Sequence, residues 1–145
     1  MTTAQLTAIP VSRVASLTTN QIQALSTEQI SSILTSQIAR LSNEQIVALN
    51  TNQVPGLNTA QIHSLTGDQI SSIETRDLNL LTTQQVSAIS GLQVSNLTGD
   101  QIKAMTTEQL AILTPSWLSV DQIAALDPSQ YSAFTTSQQS AWGLI

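Results

Sequence analysis

Two apolar series run through the chain in lockstep. Leucine or a close relative returns every eight residues, at Ile9, Leu17, Leu25, Ile33, Leu41, Leu49, Leu57, Leu65, Ile73, Leu81, Ile89, Leu97, Met105 and Leu113. A second series stands five residues further on in each unit, from Leu6 and Val14 through Ile22, Ile30, Ile38, Ile46, Val54, Ile62, Ile70, Leu78, Val86, Val94 and Ile102 to Leu110 and Leu118. The positions between are mostly polar, and the unit reads L-[ST]-x-x-Q-[IV]-x-x. A short fixed period predicts a repeat array in which each unit packs mainly on near neighbours.

The polar positions predict what each unit becomes. In Leu25-Ser26-Thr27-Glu28-Gln29-Ile30, Ser26 and Gln29 have the spacing of a capping box, and Leu25 with Ile30 that of a hydrophobic staple. The same pair recurs as Thr18/Gln21, Ser42/Gln45, Thr66/Gln69, Thr82/Gln85, Thr98/Gln101 and Thr106/Gln109. Pro115 and Pro128 each follow a cap position directly, where no amide hydrogen is missed. All nine acids fall at a cap or in a first turn, where the helix dipole favours negative charge. Glu28, Glu44, Asp68, Asp100, Glu108 and Asp121 take the second helical position, Glu74 and Asp127 the cap, and Asp77 the third. The residue before each leucine is usually small (Ala24, Ala48, Ala88, Ala104), which lets backbones approach.

The expected fold is therefore all-α: a solenoid of short capped helices, one per octad. One continuous helix fails because successive leucines would rotate by about 80° around its axis and form no stripe. A β-solenoid is the standing alternative, but its strands should alternate with period two, whereas the apolar spacings are five and three. A single octad cannot fold alone. Its two buried aliphatics contribute roughly 3–6 kcal/mol, against about 8–16 kcal/mol of backbone entropy. Cooperativity along the array is required.

The pattern breaks in few places. Glu74-Thr75-Arg76-Asp77 replaces the capping pair with acids, a cap different in kind. Pro55-Gly56 should end its helix early, and Pro10 at a cap position should make the second unit start irregularly. After Leu113 the register jumps, and Leu118 both closes one unit and opens the next. Residues 1–118 are read as the octad solenoid and 119–145 as phase-shifted, aromatic-containing repeats or a cap. All four aromatics, Trp117, Tyr131, Phe134 and Trp142, lie in or beside this tail. They are expected either to close the core end or to form an interaction surface for a partner or another copy.

Composition narrows the chemistry. Four basic residues and a formal net charge of −5 disfavour nucleic-acid binding. There is no cysteine, and the only histidine, His63, sits at a variable position expected to face solvent. No triad, metal cluster or phosphate loop can be assembled, so no catalytic residue, cofactor or metal is expected and the chain is read as a non-enzyme. Gly67-Asp68 and Gly99-Asp100 lack the spacing of calcium-binding nonapeptides. No run is long and apolar enough to span a membrane, and the start of the chain shows no signal peptide; the first repeat starts at the first residue, which suggests a fragment of a longer array.

Leu17-Thr18-Thr19-Asn20-Gln21-Ile22-Gln23-Ala24-Leu25 and its sister units resemble the tandem LTTxQIxAL octads of very large proteobacterial proteins, often labelled surface adhesins, haemagglutinin-like exoproteins or heme-utilisation proteins. The resemblance covers roughly residues 1–118 and implies a secreted or cell-surface repeat protein, with no catalytic residues to carry over. Leu113-Thr114-Pro115 is similar to the start of the DNA-reading repeats of plant-pathogen effectors, but those units are several times longer and their arrays basic. Three roles follow: a stalk, spacer or self-assembling fibre segment; a peptide- or protein-binding solenoid; and surface or ice binding by the threonines at the third position, such as Thr27, Thr35, Thr59 and Thr83.

Overall fold

A computed structural model describes residues 2–142. Met1 and residues 143–145, the two extremes of the predicted segments, lie outside the described residues. Sixteen short α-helices follow one another: α1 Thr3–Thr7, α2 Val11–Val14, α3 Thr19–Gln23, α4 Thr27–Ser32, α5 Thr35–Ile38, α6 Asn43–Val47, α7 Thr59–Ser64, α8 Gly67–Ser71, α9 Thr75–Leu78, α10 Thr83–Ser87, α11 Gly91–Asn96, α12 Gly99–Ala104, α13 Thr107–Leu110, α14 Val120–Ala124, α15 Pro128–Tyr131 and α16 Thr136–Ala141. Two 3₁₀ turns, Val54–Gly56 and Pro115–Trp117, stand where further helices would fall. No strand occurs among the described residues, which removes the β-solenoid.

Each helix is delimited as its octad dictates. At α4 the Ser26 hydroxyl accepts from the Gln29 amide while Gln29 accepts from the Ser26 amide. The chain then turns out through an extended residue, the next leucine-type position. Where the cap residue has no acceptor, at Pro10 and Leu34, the helix shortens to four residues. The unit containing Pro55 forms no α-helix. It keeps its cap, with Asn50 accepting from the Asn52 and Gln53 amides, and then closes as the Val54–Gly56 3₁₀ turn. The expected early helix end is thus a change of helix type, because proline has no amide hydrogen to continue the α ladder.

Three units make one coil. Helices pack on the helix one coil away: α1 on α4, α2 on α5, α3 on α6, and onward. Corresponding residues such as Thr3 and Thr27 are 24 apart. Three columns result. One holds α1, α4, the Val54–Gly56 turn, α9, α12 and α14; the second holds α2, α5, α7, α10 and α13; the third holds α3, α6, α8, α11, the Pro115–Trp117 turn and α16. Both apolar series point into the space the columns enclose, a continuous spine from Leu6 to Phe134. In the first coil Ile9 and Leu17 are only half-buried, since no coil lies beneath them. The register jump shortens one unit without breaking the spiral, and α14 still packs on α12.

Candidate functional site

The capping glutamines do more than cap. Gln61 takes the Asn58 amide on its Oε1 (2.8 Å). Its Nε2 donates across to the previous coil, to the carbonyls of Ile30 (2.8 Å) and Ile33 (2.7 Å). Those carbonyls belong to the C-terminal end of α4 and the turn after it; Ile30 O also accepts from the Ile33 amide (3.2 Å), so Gln61 adds a second bond there and serves Ile33 O in the extended turn residue. The pattern repeats at residue separations of 31 and 28: Gln45 to Val14 and Leu17, Gln53 to Ile22 and Leu25, Gln69 to Ile38 and Leu41, Gln93 to Ile62 and Leu65, Gln109 to Leu78 and Leu81. Eleven glutamines of this ladder are buried, from Gln37 to Gln130. After the shortened unit the ladder continues with the separation reduced to 28 and 25, Gln122 reaching Val94 and Leu97.

A carboxamide carries both functions at once, an oxygen for the amide of its own cap and an NH₂ for the coil below. Glutamate would cap equally well but has no donor. The sequence never places glutamate at this position. That exclusion was the readable sign of the ladder, which the capping box alone does not explain.

The ladder has two unlike ends. In the first coil, Gln5 and Gln21 keep their capping boxes but are exposed. A cavity of about 230 Å³ lined by Leu17, Gln21, Ala24, Leu25 and Gln29 opens there. Toward the other end of the described residues, tail side chains take several carbonyls. The Tyr131 hydroxyl donates to Ile123 O (2.9 Å), and Gln139 Nε2 donates to Tyr131 O (2.8 Å) and Phe134 O (3.0 Å). Phe134 is buried and meets Trp142 edge to face, with centroids 4.5 Å apart. The Trp142 indole donates to Pro115 O (3.2 Å). Trp117 lies against Gly91, where an added Cβ would come within 2.7 Å of its Nε1, and remains 36% exposed. The structure therefore brings Phe134, Trp142 and Tyr131 into one end of the spine and sets Trp117 apart on the outer wall.

Three units depart from glutamine at the ladder position: Arg13, Asp77 and Trp117. Asp77 is 1% exposed, and its Oδ1 has no hydrogen-bond partner. Burial pushes its carboxyl above the ordinary range; Arg76 pulls it back, Glu74 adds to the rise, and the Thr51 hydroxyl lowers it. The Arg76 guanidinium pairs with Glu74, its Nε lying 3.9 Å from Asp77 Oδ1. Elsewhere, a hydrogen bond from the Ser42 hydroxyl, then the backbone amide of Glu44, hold the Glu44 carboxyl below its usual range. Its own backbone amide and the Thr106 hydroxyl do the same for Glu108. His63 is exposed, with Nδ1 3.1 Å from Ala88 O. No group of three or more potential metal ligands exists among the described residues, and no helix there is long and apolar enough to cross a membrane.

The third octad position forms the outer columns. Thr35, Thr59, Thr83 and Thr107 follow one column through α5, α7, α10 and α13, and Thr27 and Thr75 belong to another. Successive threonines of the first column belong to helices packed side by side, whose axes stand about 8–10 Å apart, twice the ~4.8 Å rung of a β ladder; Thr27 and Thr75 are two coils apart. Across coils this position meets the eighth. An added Cβ on Gly67 would lie 2.5 Å from Asn96 Cγ, one on Gly99 3.0 Å from Ala125 Cβ, and one on Gly56 2.4 Å from Thr27 Cγ2. Small residues therefore face larger ones from coil to coil.

Fold and ladder define a tandem short-repeat protein, a helical solenoid with three octads per coil. In agreement, the family model of the ALTTAQ repeat matches residues 38–72 and 70–107. No curated protein matches the chain.

Proposed function

We propose that the chain is a non-catalytic structural segment, a stiff spacer or stalk of a bacterial surface or secreted protein. The observation that carries this reading is the glutamine ladder. It ties every coil to the next by the same pair of buried hydrogen bonds, so length can be added in units of 24 residues without new chemistry.

Duplicating residues 81–104, three regular octads, tests this reading. The expected product is a monomer by light scattering whose maximum dimension in X-ray scattering grows by one coil, about 8–10 Å. An unchanged dimension, or aggregation, would refute the modular spacer.

A second reading has one observation in its favour. Leu92, 82% exposed, follows Gly91, on which the half-exposed Trp117 lies. A pull-down lost on replacing both by alanine, with melting unchanged, would turn the proposal toward a protein-binding solenoid.

A further inference from the structure

Asp77 occupies the one buried ladder position filled by an acid. The residues 28 and 31 before it, the positions whose carbonyls the neighbouring glutamines reach, are Leu49 and Ile46; Ile46 O already accepts from the Leu49 amide (3.1 Å), which makes Leu49 O the carbonyl that this register leaves to Asp77. Gln69 serves Ile38 and Leu41 on one side; Gln85 serves Pro55 and Leu57 on the other. An ionised carboxylate has no hydrogen to give, and Oδ1 is unpartnered. Directly against α9 lies the Val54–Gly56 turn, the unit that proline keeps out of α form. Two irregular units of the array are thus stacked in one column.

We propose that Asp77 is a proton-operated latch, which leaves this coil junction a loose seam when ionised and closes it by donating a carboxylic O–H to the coil below when protonated. The proton comes from solvent, and a carboxylic acid has one O–H to give where a carboxamide has two N–H, so one carbonyl is served. Glu74 and Arg76 flank it on its own unit, paired with each other, and Glu44 of α6 lines one cavity with both of them and with Leu49. From α12, packed against α9, come Asp100 and Lys103, the latter 3.4 Å from Asp127. The turn on the other side brings no charge, and Thr51 beside it supplies a hydroxyl. The raised carboxyl agrees in sign. A folded-state value above the unfolded one gives stability that is fully present below the unfolded value and lost as pH rises through the folded value. The seam is therefore closed in acid and loosened toward neutrality. This inference is independent of the spacer reading.

The test is a ¹³C carboxyl titration of Asp77 in the full chain, with hydrogen exchange of the Leu49–Leu57 amides corrected for intrinsic rates. Asp77 should titrate above the ordinary aspartate value of about 3.9. Junction opening should fall by about tenfold on acidification, the equivalent of one buried hydrogen bond restored. Asp77→Gln should close the junction at neutral pH and abolish its pH dependence; Asp77→Asn should do so in part, and serves if the longer side chain misfolds. Titration at or below the ordinary value, or a junction equally open in both variants and the native chain, overturns the proposal.

Discussion

Replacing Gln61 by glutamate changes one NH₂ group to an oxygen and leaves the capping acceptor in place. The site is 0% exposed. Ile30 O would keep its bond from the Ile33 amide, whereas Ile33 O would lose its donor from Gln61. An orphaned buried carbonyl costs about 1–3 kcal/mol. The new carboxylate would also face two carbonyl oxygens across contacts now 2.7 and 2.8 Å long, which its charge cannot tolerate. Together the expected loss is about 3–5 kcal/mol at neutral pH, typical of an uncompensated buried charge. Protonation would return one donor, so the loss should shrink by roughly half in mild acid. Gln5→Glu is the internal control. It alters the same capping box in the first coil, where the side chain is exposed. It should change stability by less than ~0.5 kcal/mol, with the helix dipole favouring the acid. Urea unfolding followed by far-ultraviolet circular dichroism measures both. If the two substitutions destabilise equally, the coil-to-coil bonds contribute nothing beyond capping, and the ladder argument fails.

Gly67→Ala should gain less than the about 1 kcal/mol of its better helix propensity, because the new methyl meets the Asn96 side chain at 2.5 Å and that exposed side chain must turn aside. In thermal melts Gly67→Ala should therefore gain more in an Asn96→Ala background than in the native chain, and equal gains would show that the two positions do not share space. Leu65→Asn puts an unpaired amide into the spine at a site only 4% exposed. We expect a loss of roughly 3–5 kcal/mol and faster hydrogen exchange in coils above and below; protection loss confined to residues 65–72 would argue against cooperative folding. Glu44 and Glu108 have lowered carboxyl values, so their contribution is present above the unfolded value and lost as pH falls through the folded one. Glu44→Gln and Glu108→Gln should each flatten that acid limb of the stability profile, and an unaltered limb would discount the cap-hydroxyl bonds.

The sequence by itself determined the unit. Its hydroxyl–glutamine pairs, acids in first turns and two aliphatics per octad are local signals, and the structure realises them at unit after unit because capping and stapling act within a few residues. Even the irregular units at Pro10 and Pro55 were marked by residues lacking an amide hydrogen. Only the tertiary structure decided how many octads close a coil, since an eight-residue period is equally compatible with a coil of any whole number of units. That choice fixes which carbonyls each glutamine meets and places Asp77 in a buried slot rather than on a surface cap. These contacts join residues 25 to 31 positions apart, and packing across coils, not the octad, sets them.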